Sequence, residues 1–160
     1  MKILKTILLI ALVFFLQVAV APNISIYSFF PNFILILVVF YLLNFNYSEA
    51  LISAGVGGIL LDLYSPMYFG IYTFGFLLIY FLAYFIFNKF ISEQIFIVVF
   101  LSFFVGSLVV EMIPFFTNQG FYVTYFSSAL YSAILGVIVY YIFSARFKKS
   151  ESVYKISDKL

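Results

Sequence analysis

Apolar side chains follow one another along this chain in runs too long and too unbroken for the one-sided patterns of a water-soluble fold. A hydrocarbon core of about 30 Å takes about 20 helical residues to cross. Six runs of roughly that kind are present, at 3–21, 29–43, 48–64, 68–87, 94–116 and 121–143. They are punctuated by turn-forming chemistry at Pro22-Asn23, Asn44 to Tyr47, Ser65-Pro66, Asn88 to Glu93 and Thr117 to Gly120. The second and third runs are short, which suits tilted helices that thin the bilayer locally or fuse with the irregular stretches beside them. The pattern predicts an all-α polytopic membrane protein: a six-helix transmembrane domain over residues 1–143, then a polar tail, 144–160.

Composition sharpens this into an exclusion. The 160 residues are 66% hydrophobic and 9% charged, with a mean hydropathy of +1.22. Soluble domains run at roughly 45–50% apolar and about 25% charged. Neither a water-facing globule nor a second soluble domain fits. With no Cys and no His, disulfides, thiolate metal sites, thiol nucleophiles and imidazole acid–base chemistry are excluded together. No catalytic residue, metal, cofactor or nucleic-acid partner is expected.

The placement of charge orients the helices. All eight cations (Lys2, Lys5, Lys89, Arg146, Lys148, Lys149, Lys155 and Lys159) fall on one side of a six-helix chain, and the opposite loops carry none. That side is cytoplasmic by the positive-inside rule, so both termini lie inside. Arg146, Lys148 and Lys149 follow the last run, where each can gain about 1 kcal/mol from anionic headgroups. The basic tail reads as an anchor and topology signal. Lys2, Lys5 and Ala19-Val20-Ala21 also have the layout of a secretory signal, but Pro22 directly after the cut is a poor fit. An uncleaved first helix is the expectation.

Small residues then mark the helix seams, because backbones in lipid pack closely only where side chains are small. In the third run Ala50, Ala54, Gly58 and Asp62 recur every four residues, and Gly55, Gly58 and Asp62 converge on the same stripe. Ser102, Gly106 and Ser107 in the fifth run and Ser128, Ser132 and Gly136 in the sixth repeat the theme. Two carboxylates, Asp62 and Glu111, sit near the outer ends of their helices with no Lys or Arg on that side. An acid at the membrane centre costs about 2.5–3.5 kcal/mol, so each should face protein or water. For Asp62 the partner expected is the start of the next helix, near Tyr68 to Gly70, whose free N–H groups and positive dipole end can hold a carboxylate. Pro114 should kink the fifth helix beside Glu111. Pro31 suits a first helical turn, and Asn32 beside it is a candidate partner for Asp62.

The stretch GVGGILLDLYSPMYFGIYTF, with the Pro-initiated second helix before it and an aromatic-rich helix after it, resembles the rod shape-determining protein MreD family. The positions that carry the resemblance are Gly55, Gly57, Gly58, Leu61, Asp62, Ser65, Pro66, Gly70 and Tyr72. It covers about twenty residues closely and the helix count and length of the whole chain. It implies a non-enzymatic scaffold in the bacterial cytoplasmic membrane, binding MreC and through it MreB, RodA and a penicillin-binding transpeptidase in the cell-elongation, peptidoglycan-synthesis complex. The family is similar in fold to substrate-binding (S component) subunits of energy-coupling factor transporters, which gives an alternative reading. Those subunits dock through Ala-x-x-x-Ala on the first helix, and here Ala11 is followed four residues on by Phe15.

Overall fold

The computed structural model describes the backbone of residues 2–24, 30–65, 69–90, 96–115 and 122–157, and side chains within 3–24, 30–65, 69–86, 96–110 and 126–144. Among them are six α-helices, one 3-10 helix and no strand: α1 (Lys2–Ala19), the 3-10 turn Ala21–Ile24, α2 (Phe33–Leu43), α3 (Tyr47–Tyr64), α4 (Ile71–Phe90), α5 (Phe96–Phe115) and α6 (Tyr122–Ser157). By length and composition Phe126–Ser144 of α6 is able to cross a membrane alone. Ile3–Ala19, Phe33–Leu43, Ile71–Ile86 and Phe96–Val110 are apolar but shorter.

The second helix organises the rest. Its sequence, FILILVVFYLL, is apolar on every face, and every residue from Ile34 to Leu43 is buried. A helix with no polar face can be hidden on all sides, and α2 touches α1, α3, α4, α5 and α6 in turn. At 11 residues it rises only about 17 Å, so its ends lie inside the bundle and their backbone groups need partners from the protein.

The carboxyl end of α2 is closed locally. The Asn44 side-chain amide donates to the Phe40 carbonyl at 2.8 Å. The Phe45 N–H reaches Leu42 O and the Asn46 N–H reaches Tyr41 O, each at 3.0 Å, the paired bonds that end many helices. The turn needs a left-handed residue, and Phe45 supplies it at φ 56°, where an L side chain costs about 1–2 kcal/mol. Its ring packs edge-on to Tyr47, 6.2 Å away.

Helix α3 buries Ala50, Ser53, Ala54, Gly57, Gly58, Leu61 and Asp62, a three-four spacing that keeps one stripe facing inward. Two of its glycines are points of contact. A methyl group built on Gly57 would lie 2.5 Å from Ile34 Cγ2, and one on Gly58 would lie 2.5 Å from Thr73 Cα and 2.9 Å from its nitrogen. Gly55 differs from the expectation: it is half-buried and a methyl group there meets nothing within 4 Å. At 100° per residue it falls to the side of the stripe, and Gly57 takes the packing role instead. In α6, Gly136 receives the ring of Phe103 from α5. The tightest pairs are α3 with α4 and α5 with α6.

Several boundaries depart from the sequence reading: α4 spans Ile71–Phe90 rather than 68–87, so the helix runs on through Asn88, which was read as part of a break. Helix α2 begins at Phe33, with Pro31 ahead of the cap rather than inside the first turn, because Asn32 (φ −95°, ψ 91°) is extended and caps the helix. Helix α6 continues unbroken through Arg146, Lys148 and Lys149 to Ser157; the side chains of those three residues lie outside the described set.

Candidate functional site

Side-chain hydrogen bonds between separate helices gather at two helix starts, those of α4 and α2. The first is the α3–α4 junction. Helix α3 ends at Tyr64 and is capped by Ser65, whose N–H donates to Leu61 O at 2.8 Å and whose ψ of 138° turns the chain out of the helix. Pro66 lies outside the described residues. Gly70, at φ 97°, makes the left-handed turn into α4, and its carbonyl accepts the first helical bond from Phe74 N–H at 2.9 Å.

Asp62, only 4% exposed, spans this junction. Its Oδ1 accepts from the Tyr72 N–H at 2.8 Å. Its Oδ2 accepts from the Thr73 N–H at 3.0 Å and from the Thr73 hydroxyl at 2.6 Å. The first-turn amides of α4 have no intrahelical acceptor, and the positive end of the helix dipole adds to the attraction. The carboxylate therefore works as an N-cap delivered from the preceding helix. Gly58, one turn earlier, lets Thr73 come close enough for the bonds to form.

The second cluster closes the start of α2. Gln17 of α1 uses both ends of its amide: Nε2 donates to Pro31 O at 3.0 Å, and Oε1 accepts from Phe33 N–H at 2.6 Å. Asn32 Oδ1 accepts from Leu35 N–H at 3.0 Å, and the Asn32 N–H donates to Ser132 Oγ of α6 at 3.4 Å. Ser128 Oγ donates to Phe30 O at 3.4 Å, and Tyr131 OH donates to Ile24 O at 3.0 Å. One short helix start is thus held by α1 on one side and α6 on the other. Gln17→Leu, which strands the Phe33 N–H and the Pro31 carbonyl, should cost about 2–4 kcal/mol, read as a lower melting temperature of detergent-purified protein.

The Asn32–Asp62 contact suggested by the sequence is absent. Asn32 gives its oxygen to Leu35, and Asp62 gives both of its oxygens to α4. Glu111 and Pro114 fall within α5, but their side chains lie outside the described residues. Gly55 takes no part in the junction. The residues that sequence reasoning missed are Gln17 and Thr73; Ser132 was expected at a helix seam, and what the structure adds is its bond to the start of α2. A lone amide inside the first apolar run was the available sign for Gln17, since such a group in lipid needs a protein partner. Tyr47, Ser53 and Ser107 carry buried hydroxyls that make no hydrogen bond among the described residues. Among the described residues no set of three acidic, His or Cys side chains is grouped to hold a metal ion.

The arrangement is that of an all-helical bundle in which Asp62, Gln17 and Ser132 tie separate helices together. The family of the rod shape-determining protein MreD matches residues 1–149. The chain belongs to that family, and with it to the membrane proteins of the rod shape-determining system. No curated protein and no solved structure matches it.

Proposed function

We propose that the protein is a non-enzymatic scaffold subunit of the bacterial cell-elongation complex, crossing the cytoplasmic membrane six times with both termini inside. It binds MreC through the outer ends of its helices, and through MreC it joins MreB, RodA and a penicillin-binding transpeptidase. The observation that carries this reading is the Asp62 lock on Tyr72 and Thr73. It joins the end of α3 to the start of α4, and pre-ordered elements bind partners at a lower cost of ordering. The family membership and the clustering of all cations at one set of loops and ends support the same reading.

The test is assembly. Asp62→Asn and Gly58→Leu should reduce co-purification of MreC and round rod-shaped cells, while a carboxyl-terminal reporter fusion should report a cytoplasmic end. Undiminished capture and normal shape in both variants would reject the docking surface. Saturable small-molecule binding by the purified protein, together with capture of an ATPase module, would replace the scaffold by a transporter substrate-binding subunit.

A further inference from the structure

The turn between α2 and α3 is held in a conformation that its own residue resists. Phe45 is left-handed, at φ 56°, in a region that glycine enters freely and asparagine tolerates. Asparagines stand on both sides of it, at Asn44 and Asn46. The ring is not spent on the core, because Phe45 is 45% exposed. Strain of this kind persists where the surroundings over-determine it, and it gathers at sites of contact and binding.

The surroundings here are aromatic. Ring centroids run 6.2 Å from Phe45 to Tyr47, 4.8 Å from Tyr47 to Tyr84 and 6.0 Å from Tyr84 to the buried Tyr80. Edge-on and stacked rings at these separations attract. A ladder of four rings thus braces the turn against the carboxyl-terminal half of α4 and leaves Phe45 as its exposed end.

Length decides what lies against that end. Helix α3 has 18 residues and rises about 27 Å. In the proposed six-fold crossing, with the Ser65 turn at one boundary of a hydrocarbon core about 30 Å thick, Tyr47 reaches no farther than the other. Tilt only shortens the reach. The headgroup layer therefore stands between Phe45 and any protein in the cytosol. Asn44 and Asn46 are half-buried and Ser48 is exposed, so one apolar ring is rimmed by polar groups. That pattern fits the layer where headgroups meet acyl chains and aromatic side chains collect, rather than the depth at which a neighbouring apolar helix would pack. We infer that the α2–α3 turn is a lipid-contact anchor: the Phe45 ring inserts at the headgroup boundary of the leaflet it faces, the inner one in the proposed orientation, and holds the polar turn at that depth. The anchor requires the proposed crossing of the membrane and does not require assembly with MreC.

Because the chain has no Trp and no Cys, single substitutions report the depth of the turn. In full-length protein reconstituted in vesicles of dioleoyl phosphatidylcholine and phosphatidylglycerol, the indole of Phe45→Trp should be quenched more strongly by lipid brominated high on the acyl chain than by lipid brominated near its end, and little by acrylamide. In inverted membrane vesicles, the thiol of Ser48→Cys should react with a charged maleimide about fivefold faster once Phe45→Asn is added, since the exposed half of the ring is worth about 1 kcal/mol of transfer out of water. Asparagine suits the left-handed turn, so the ring is removed without new strain. Acrylamide quenching in place of lipid quenching, an unchanged labelling rate, or crosslinks from benzoylphenylalanine at position 45 to a second copy or another protein without a lipid adduct would overturn the anchor. If the doubly substituted protein fails to fold, the indole depth and the crosslink still decide. Labelling from the opposite face with lipid quenching intact would uphold the anchor and reject the orientation alone. A lost MreC interaction with lipid quenching intact would reject only the scaffold reading.

Discussion

Two glycines three residues apart on α3 should respond oppositely to the same methyl group. Gly58→Ala is expected to lower the melting temperature, and Gly55→Ala to raise it or leave it unchanged. At Gly58 the added carbon would sit 2.5 Å from Thr73 Cα and 2.9 Å from Thr73 N. Both are backbone atoms of a packed helix, which has no rotamer to change. Relief requires α4 to move away, and overpacking of this kind costs about 1–3 kcal/mol. At Gly55 the methyl meets nothing within 4 Å, so only the helix preference for Ala over Gly remains, about 1 kcal/mol in favour.

Gly58→Leu extends the clash and should prevent close pairing of α3 and α4 altogether. The effect is not confined to packing. Moving Thr73 outward stretches its two bonds to Asp62, so Gly58 and Asp62 variants should couple. A double-mutant cycle measured by thermal unfolding should give a combined loss smaller than the sum of the two. Strict additivity would mean that the close approach and the lock are independent features.

Asp62→Leu carries the second large effect. It removes the acceptor of three hydrogen bonds at once, leaving the Tyr72 and Thr73 amides and the Thr73 hydroxyl without their partner. A buried donor left unpaired costs about 1–3 kcal/mol, so a total loss of about 3 kcal/mol or more is expected. For a chain of this length that corresponds to roughly 6–12 °C in melting temperature. Asp62→Asn should fall between, because the amide keeps one acceptor oxygen and turns its NH₂ toward a second donor. Thr73→Val, which deletes the hydroxyl donor but neither amide, should cost about 1 kcal/mol. An Asp62→Asn protein as stable as the parent would mean that the bonds to Tyr72 and Thr73 do not hold α3 to α4.

These expectations show where sequence reading was strong and where it stopped. The six helices were legible as apolar runs because backbone groups in hydrocarbon must bond within their own helix, which forces long unbroken segments. A carboxylate in such a run must have a partner, and the absence of outer-side Lys and Arg narrowed the partner to dipoles and hydroxyls. The α3 stripe was legible in outline from its four-residue spacing. The choice between Gly55 and Gly57 was not, because spacing fixes which residues share a face and leaves open where the neighbouring helices stand. Gln17 escaped notice for the same reason: its two partners, Pro31 and Phe33, are 14 and 16 residues away and lie at the start of a different helix.

By itself, then, the sequence determined a helical chain built for lipid, with its cations at one set of ends and a lone Asp before a turn. Composition and local hydrogen bonding require that much wherever the helices pack. Only the tertiary structure decided that the shortest and most apolar helix lies at the centre, that Gln17 and Ser132 close its start, and that Asp62 caps α4 instead of meeting Asn32. Those outcomes depend on distances between residues far apart in the chain, and a helix that is apolar all round gives no sign in its own pattern of which neighbours will cover it.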